Sequence, residues 1–73
     1  MKNLAQLKIG ESGIIKSFTR KDLALKLIEM GCVPGERITL SHIAPMGDPI
    51  AIEISGYVLS MRKEEAAGVL LEE

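Results

Sequence analysis

The segment from Phe18 to Gly35 constrains the fold most, because it carries both the signals that begin a helix and those that end one. Thr19 followed by Asp22 matches a capping box, in which each residue satisfies the backbone N–H of the other. Apolar residues then recur at helical spacing, which gives the helix one buried face. They are Leu23, Ala24, Leu27, Ile28 and Met30. The sequence therefore predicts a short helix over about residues 20–30.

The end of this helix is marked as clearly as its start. Gly31 occupies the position that favours a left-handed residue, and Cys32 after it can contact Leu27. Pro34 cannot continue a helix, and together with Gly35 it forms the centre of a predicted type II turn. Gly31, Pro34 and Gly35 are therefore expected to be structural residues that lead the helix directly into a strand.

The rest of the chain has the β-branched composition of short strands. Strands are predicted over residues 13–18, 37–44, 50–54, 57–61 and 69–71. Alternation in the second strand breaks after Leu40, which predicts a bulge near Ser41 or His42. The first thirteen residues carry no strong regular pattern, although Leu4 and Leu7 suit a segment that docks on the core.

Glycine and proline place the turns between these strands. Two prolines and a glycine make Pro45–Pro49 a loop, with Gly47, Asp48 and Pro49 as its structural residues. Ser55 and Gly56 predict a tight hairpin turn. Residues 62–67 contain good helix formers but are too few for more than a short helical turn.

A chain of 73 residues is long enough for one domain with one thin core, and we expect that domain to span residues 1–73. A bent sheet that nearly closes on itself hides strand edges that so small a chain cannot otherwise cover. The predicted fold is therefore mainly β: a small, partly open barrel of about five short strands with one inserted helix.

Composition argues against several classes of function. The net charge is −1 with both signs interspersed, and Phe18 and Tyr57 are the only aromatic residues, so nucleic-acid binding is not expected. The glycines form no phosphate-binding motif. No apolar run approaches the roughly 20 residues of a membrane span, and no secretory signal is present, so we expect a cytoplasmic protein that does not insert into membranes.

The single histidine and the single cysteine form no catalytic pattern. Cys32 follows the C-terminus of the predicted helix, where the dipole raises the pKa of a thiol, so it is interpreted as a packing residue. We therefore expect no enzyme activity and no required cofactor.

A weak metal site is an alternative that the residues leave open. His42, Asp48 and Glu53 carry suitable donor atoms, but none is spaced so that local structure alone would preset a site. His42 together with Asp48 or Glu53 could hold a divalent ion such as Fe(II), Mn(II) or Zn(II).

Protein recognition is the remaining function. Leu25 points away from the predicted buried stripe, and Met30, Val33 and Met46 lie at the helix end or in loops. A contiguous exposed apolar patch marks an interaction site, and methionine suits such surfaces. These four residues are the predicted partner-binding surface; the alternative is that they complete a thin core.

Several sequence blocks, taken in order, resemble the FeoA family of ferrous iron transport protein A. They are Leu27–Gly35 (LIEMGCVPG), Pro45–Ile50 (PMGDPI) and Gly56–Ala66 (GYVLSMRKEEA). The resemblance implies a Src-homology-3-like (SH3-like) barrel that carries an inserted helix. A similar barrel, with a Gly-Asp-Pro loop, ends the metal-dependent repressors related to the diphtheria toxin repressor. Because this chain begins with Met1, we expect a free-standing protein rather than a detached repressor domain.

The resemblance also implies a function. FeoA proteins act beside FeoB, a membrane permease with a G-protein-like domain, in bacterial ferrous iron uptake. The expected function is therefore a non-enzymatic protein-binding module, peripheral to the inner membrane through FeoB. The alternative is a metal-binding sensor or carrier similar to the repressor barrel. Self-association through an open edge of the barrel is a further alternative.

Overall fold

The computed structural model describes residues 2–72, which form one five-stranded sheet and two short α-helices. The strands are β1 (Ser12–Phe18), β2 (Arg37–Ile43), β3 (Ile50–Ile54), β4 (Tyr57–Met61) and β5 (Val69–Leu71). The helices are α1 (Lys21–Glu29) and α2 (Lys63–Ala66), and a single 3-10 turn covers Leu4–Gln6.

The sheet is antiparallel throughout, in the order β4-β3-β2-β1-β5. Buried side chains from all five strands meet in one core, so the sheet wraps around a common interior. The edge strands β4 and β5 do not pair with each other, which leaves the barrel open on one side. This is the mainly β, partly open architecture that the sequence predicts, and the predicted helix and helical turn are also present.

The core is built by alternation along the strands and by a narrow stripe of α1. Ile50, Ile52 and Ile54 point inward from β3, and Leu23 and Leu27 pack onto the interior from α1. The start of the chain contributes more than its weak pattern indicates. Its 3-10 turn buries Leu4, with Leu7 buried just beyond it, and Asn3 bridges to Leu70 at the sheet edge.

The predicted capping box at the start of α1 is wrong. The N-cap is Arg20 in an extended conformation (φ −135°), and no side chain caps the helix. The Thr19 N–H instead donates to the Gly68 carbonyl at 2.9 Å, just beyond the ladder between β1 and β5. A long-range backbone hydrogen bond has thus replaced the local one, and the helix begins one residue later.

The predicted end of α1 is confirmed. Gly31 has φ +96°, its N–H donates to the Ile28 carbonyl at 3.0 Å, and the Cys32 N–H donates to the Leu27 carbonyl at 2.8 Å. These two bonds define a Schellman motif. The type II turn follows, with Gly35 at φ +97° and a hydrogen bond of 3.1 Å that closes the turn. The chain therefore reverses from helix to β2 within a few residues.

Tyr57, the first residue of β4, contacts this chain reversal. Its hydroxyl donates to the Met30 carbonyl at the end of α1. The hydroxyl also lies directly over Gly31, where a Cβ atom would collide with it. Gly31 is therefore required both for its left-handed backbone and for its missing side chain.

The predicted bulge in β2 is also confirmed. Leu40 lies opposite Ile52 and His42 lies opposite Ala51, so Ser41 is the extra residue. The Ser41 hydroxyl donates to the Ala51 carbonyl at 3.2 Å. A second irregularity in β1, at Lys16, was not predicted from the sequence.

Polar contacts join the helix α2 to the rest of the barrel. Asp48 accepts from the Lys63 N–H at 2.9 Å, which joins the loop between β2 and β3 to α2. Glu65 accepts from the Arg62 N–H at 2.9 Å and pairs with Lys26 of α1. The Lys26 ammonium and then the Arg62 N–H lower the pKa of the Glu65 carboxyl.

We predict that Gly31→Ala is more destabilising than Gly35→Ala, although both glycines have nearly the same positive φ. Nothing lies within 4 Å of a Cβ at Gly35, so the only cost of Gly35→Ala is the left-handed backbone. The free energy of unfolding should fall by about 1 kcal/mol. Gly31→Ala should lose a further amount of about 1–3 kcal/mol, because its Cβ displaces Tyr57. Urea unfolding measures both. In a Tyr57→Ala background the extra loss should vanish; its persistence would contradict this account.

We predict that Glu65→Gln lowers stability at neutral pH and has no such effect in acid. The folded-state pKa of Glu65 lies below its unfolded value, so the ionised carboxylate stabilises the folded protein above the ordinary glutamate pKa of about 4.3. The stabilisation is lost as pH falls through the folded-state pKa. The expected difference at pH 7 is about 0.5 kcal/mol. Urea unfolding of the wild type and of Glu65→Gln at several pH values measures this difference. A difference that does not change with pH would contradict the prediction.

Candidate partner-binding surface

The solvent-facing side of α1 carries apolar side chains. Leu25 is 66% exposed, because at about 100° per residue it lies opposite the line of Leu23 and Leu27. Ile28 is 42% exposed, so its predicted place in the core is wrong. It lies about 100° beyond Leu27, at the margin of a stripe that is too narrow to cover it. Leu25 and Ile28 are neighbours at i and i+3 on the outer surface.

Tyr57 adds a third partly exposed side chain at the C-terminal end of the same helix, with 40% of its surface accessible. We call Leu25, Ile28 and Tyr57 the helix patch. Exposed Lys21 and Glu29 lie one turn before and one turn after Leu25. The patch therefore has an apolar centre with charges of both signs at its rim, as protein interfaces commonly do.

The four residues predicted as a partner surface fall in two places. Leu25, Met30 and Val33 lie on α1 or just beyond its end, where Met30 packs partly against the core and Val33 is half-buried. Met46 is 93% exposed in the loop after β2. Val33 precedes the start of β2 and Met46 follows its end, so the seven residues of the strand lie between them. The structure therefore does not bring Met46 into the helix patch.

Sequence reasoning missed Ile28 and Tyr57 for different reasons. The helical angle of Ile28 relative to Leu27 was a signal that could have placed it at the margin. Tyr57 reaches α1 only through the folded hairpin, so no local pattern indicated its contact with Gly31.

The candidate metal donors are also divided. His42 lies opposite Ala51 and Glu53 opposite Thr39, so these two exposed side chains are diagonal neighbours on the outer face of the sheet. The carboxylate of Asp48 is instead engaged by α2, with Oδ2 at 3.5 Å from Arg62 Nε. Among residues 2–72, no group of three His, Cys, Asp or Glu side chains is placed to hold a metal ion.

Cys32 is buried at the helix end, as the sequence predicts for a packing residue. Burial raises the pKa of its thiol, which disfavours the reactive thiolate. Within the described part of the chain, no helix is long and apolar enough to cross a bilayer.

Comparison with known proteins shows a matching family and a related fusion protein. A family model described as the FeoA domain matches residues 2–73. A relative from Porphyromonas gingivalis, a fusion of Fe(2+) transport protein A with the Fe(2+) transporter FeoB, is 34% identical over 70 residues. That match covers 94% of this chain and 8% of the fusion protein, so the chain corresponds to a small part of that relative.

Solved structures share the fold over nearly the whole chain. The FeoA-like protein of Clostridium acetobutylicum is 37% identical, with a TM-score of 0.88 over 96% of this chain and 83% of that one. Zinc-complexed FeoA of Stenotrophomonas maltophilia, described as a prokaryotic SH3 domain protein, is 23% identical with a TM-score of 0.85, covering 99% and 91%. A manganese-dependent transcriptional repressor with manganese is 12% identical with a TM-score of 0.87, covering 96% and 35%.

These comparisons confirm the SH3-like barrel and its likeness to the barrel of metal-dependent repressors. The repressors share the fold alone, whereas the family model spans almost every residue of this chain. The chain belongs to the FeoA family, whose members are associated with ferrous iron transport.

Proposed function

We propose that this chain is a non-enzymatic accessory domain of bacterial ferrous iron uptake that acts by binding the FeoB permease. The observation that supports this proposal is the Porphyromonas gingivalis relative, in which a FeoA part and FeoB form one polypeptide. Fusion holds two modules at high effective concentration, which suits modules that must associate. The site of action is the cytoplasmic face of the inner membrane, reached through FeoB.

The helix patch is the proposed contact surface. Burial of a side chain as exposed as Leu25 contributes about 1.5–3 kcal/mol to association. The patch is also held rigidly, because Tyr57 fixes the end of α1 and Lys26 ties its middle to α2. A preorganised surface loses little conformational entropy on binding. Leu25 is therefore proposed as the centre of the contact, with the G-protein-like domain of FeoB as its partner.

We predict that Leu25→Glu weakens binding to FeoB at least about tenfold, since a carboxylate must then be desolvated in the interface. The measurement is a calorimetric titration against the soluble G-domain of the cognate FeoB, with GDP and with a non-hydrolysable GTP analogue. Ile9→Glu is the matched control, because Ile9 is 62% exposed and lies outside α1.

The outcomes separate the surface from the function. A folded Leu25→Glu variant that binds like the wild type would remove the helix patch from consideration. If the wild-type protein bound neither nucleotide state of the G-domain, the titration would be repeated with full-length FeoB in nanodiscs. Absence of binding there would overturn the proposed function.

The zinc complex of the Stenotrophomonas maltophilia relative favours a metal sensor or carrier as a second candidate. In this chain the proposed ligands are His42 and Glu53, which share the outer face of the sheet. Two side-chain ligands leave most coordination positions to water, so the affinity should be weak. Asp48 is not included, because its carboxylate is held by α2.

We predict that His42→Ala abolishes saturable Zn(II) binding and that Glu53→Gln weakens it, because each variant removes a ligand. Asp48→Asn should leave the affinity unchanged and serves as the control. Titrations with Zn(II), Mn(II) and, without oxygen, Fe(II) measure this by calorimetry. Equal binding by wild type and His42→Ala, or no saturable binding by the wild type, would retire this candidate.

A further inference from the structure

The strand β4 presents an uncovered edge. In residues 2–72 it pairs only with β3, and β5 at the other edge of the sheet does not reach it. Ser55 and Gly56 have φ values of +50° and +84°, which defines a two-residue hairpin of type I′. Such a hairpin makes Ile54 and Tyr57 a hydrogen-bonded pair, and bonded pairs then alternate along the ladder.

This alternation decides which backbone groups are free. Leu59 and Met61 bond to β3, whereas the N–H and C=O of Val58 and Ser60 point away from the sheet. No side chain or loop in the described residues bonds to those groups. Two donors and two acceptors therefore line the middle of the β4 edge, flanking Leu59.

We propose that the β4 edge is a self-association site, where a second copy of this chain adds its own β4 in antiparallel orientation about a two-fold axis at Leu59. The free groups fit this symmetry. Val58 of one copy faces Ser60 of the other, so the two residues can exchange both backbone hydrogen bonds. Leu59 then faces its own counterpart as the non-bonded pair at the axis. The two sheets would become one sheet of ten strands.

The side chains favour a second copy as the occupant. The five residues of β4 contain no charge and no proline, the usual devices that protect an edge. Glu53 is the one charged residue of β3 and β4, and it lies on the outer face beside Val58. In the symmetric pairing, its row continues through Val58 and then Ser60 and Ala51 of the second copy. No like charges therefore meet across the axis.

The association should be weak. A five-residue edge buries much less than the roughly 1,200–2,000 Å² of a stable interface. We expect a dimer that forms reversibly between micromolar and millimolar protein. It does not rest on the proposed FeoB contact, because the free groups of Val58 and Ser60 lie outside the helix patch, which meets β4 only at its first residue, Tyr57.

We predict that the weight-average mass of the wild-type protein rises toward that of a dimer with concentration in sedimentation equilibrium, whereas Val58→Lys stays monomeric. In the dimer the two lysines would be diagonal neighbours at about 7–8 Å and would repel each other. Ile9→Lys is the matched control, since Ile9 and Val58 are both 62% exposed, and it should dimerise like the wild type. Ser60→Pro removes a free N–H without removing a bond to β3, and it should also stay monomeric.

Amide hydrogen exchange gives a second readout on the wild-type protein. The Val58 and Ser60 amides should become protected as concentration rises, while the Leu59 amide, already bonded to β3, should change little. A wild-type protein that stays monomeric at millimolar concentration would overturn the proposal. So would dimerisation of Val58→Lys that equals that of Ile9→Lys, or protection that appears elsewhere than at Val58 and Ser60.

Discussion

The contact between Gly31 and Tyr57 is the constraint on which the rest of the structure depends. The Schellman turn at Gly31 ends α1 and sends the chain toward β2, and the Tyr57 hydroxyl binds the last helical turn at Met30. Tyr57 can occupy that place only because Gly31 has no side chain. This interaction joins the end of α1 to the first residue of β4. The burial of Leu23 and Leu27 then sets the rotation of α1 that leaves Leu25 in solvent.

A second set of contacts, which are polar, joins α2 to its neighbours at the open side of the barrel. The helix α2 connects β4 to β5, the two strands that do not pair. Glu65 of α2 pairs with Lys26 of α1. The backbone N–H of Lys63, the first residue of α2, donates to Asp48 in the loop between β2 and β3. Because the 73-residue chain has only a thin apolar core, to which α2 contributes Ala66, these polar contacts help to hold α2 in place.

Features of this fold that depend on neighbours in sequence were predictable, and features that depend on distant residues were not. The Gly31 turn, the Pro34–Gly35 turn, the bulge at Ser41 and the hairpin at residues 55–56 each follow from local backbone preferences. The capping box failed because Thr19 bonds to Gly68 across the sheet. At the candidate surface, the exposure of Leu25 followed from helical angle. The separation of Met46 followed from strand length and direction, which local patterns do not show.

The fold by itself does not distinguish a docking module from a metal-dependent regulator, because the same barrel occurs at 12% identity in a manganese-dependent repressor. In residues 2–72 no polar or charged side chain is buried, so any recognition must use the outer surface. The helix patch and the β4 edge adjoin on that surface, because Tyr57 of the patch is the first residue of β4, but the free groups of Val58 and Ser60 lie outside the patch. A dimer joined through β4 would therefore present two helix patches at once. If the proposed partner, FeoB, offers two equivalent sites within reach, weak contacts at each would combine into a much stronger attachment, which would depend on protein concentration.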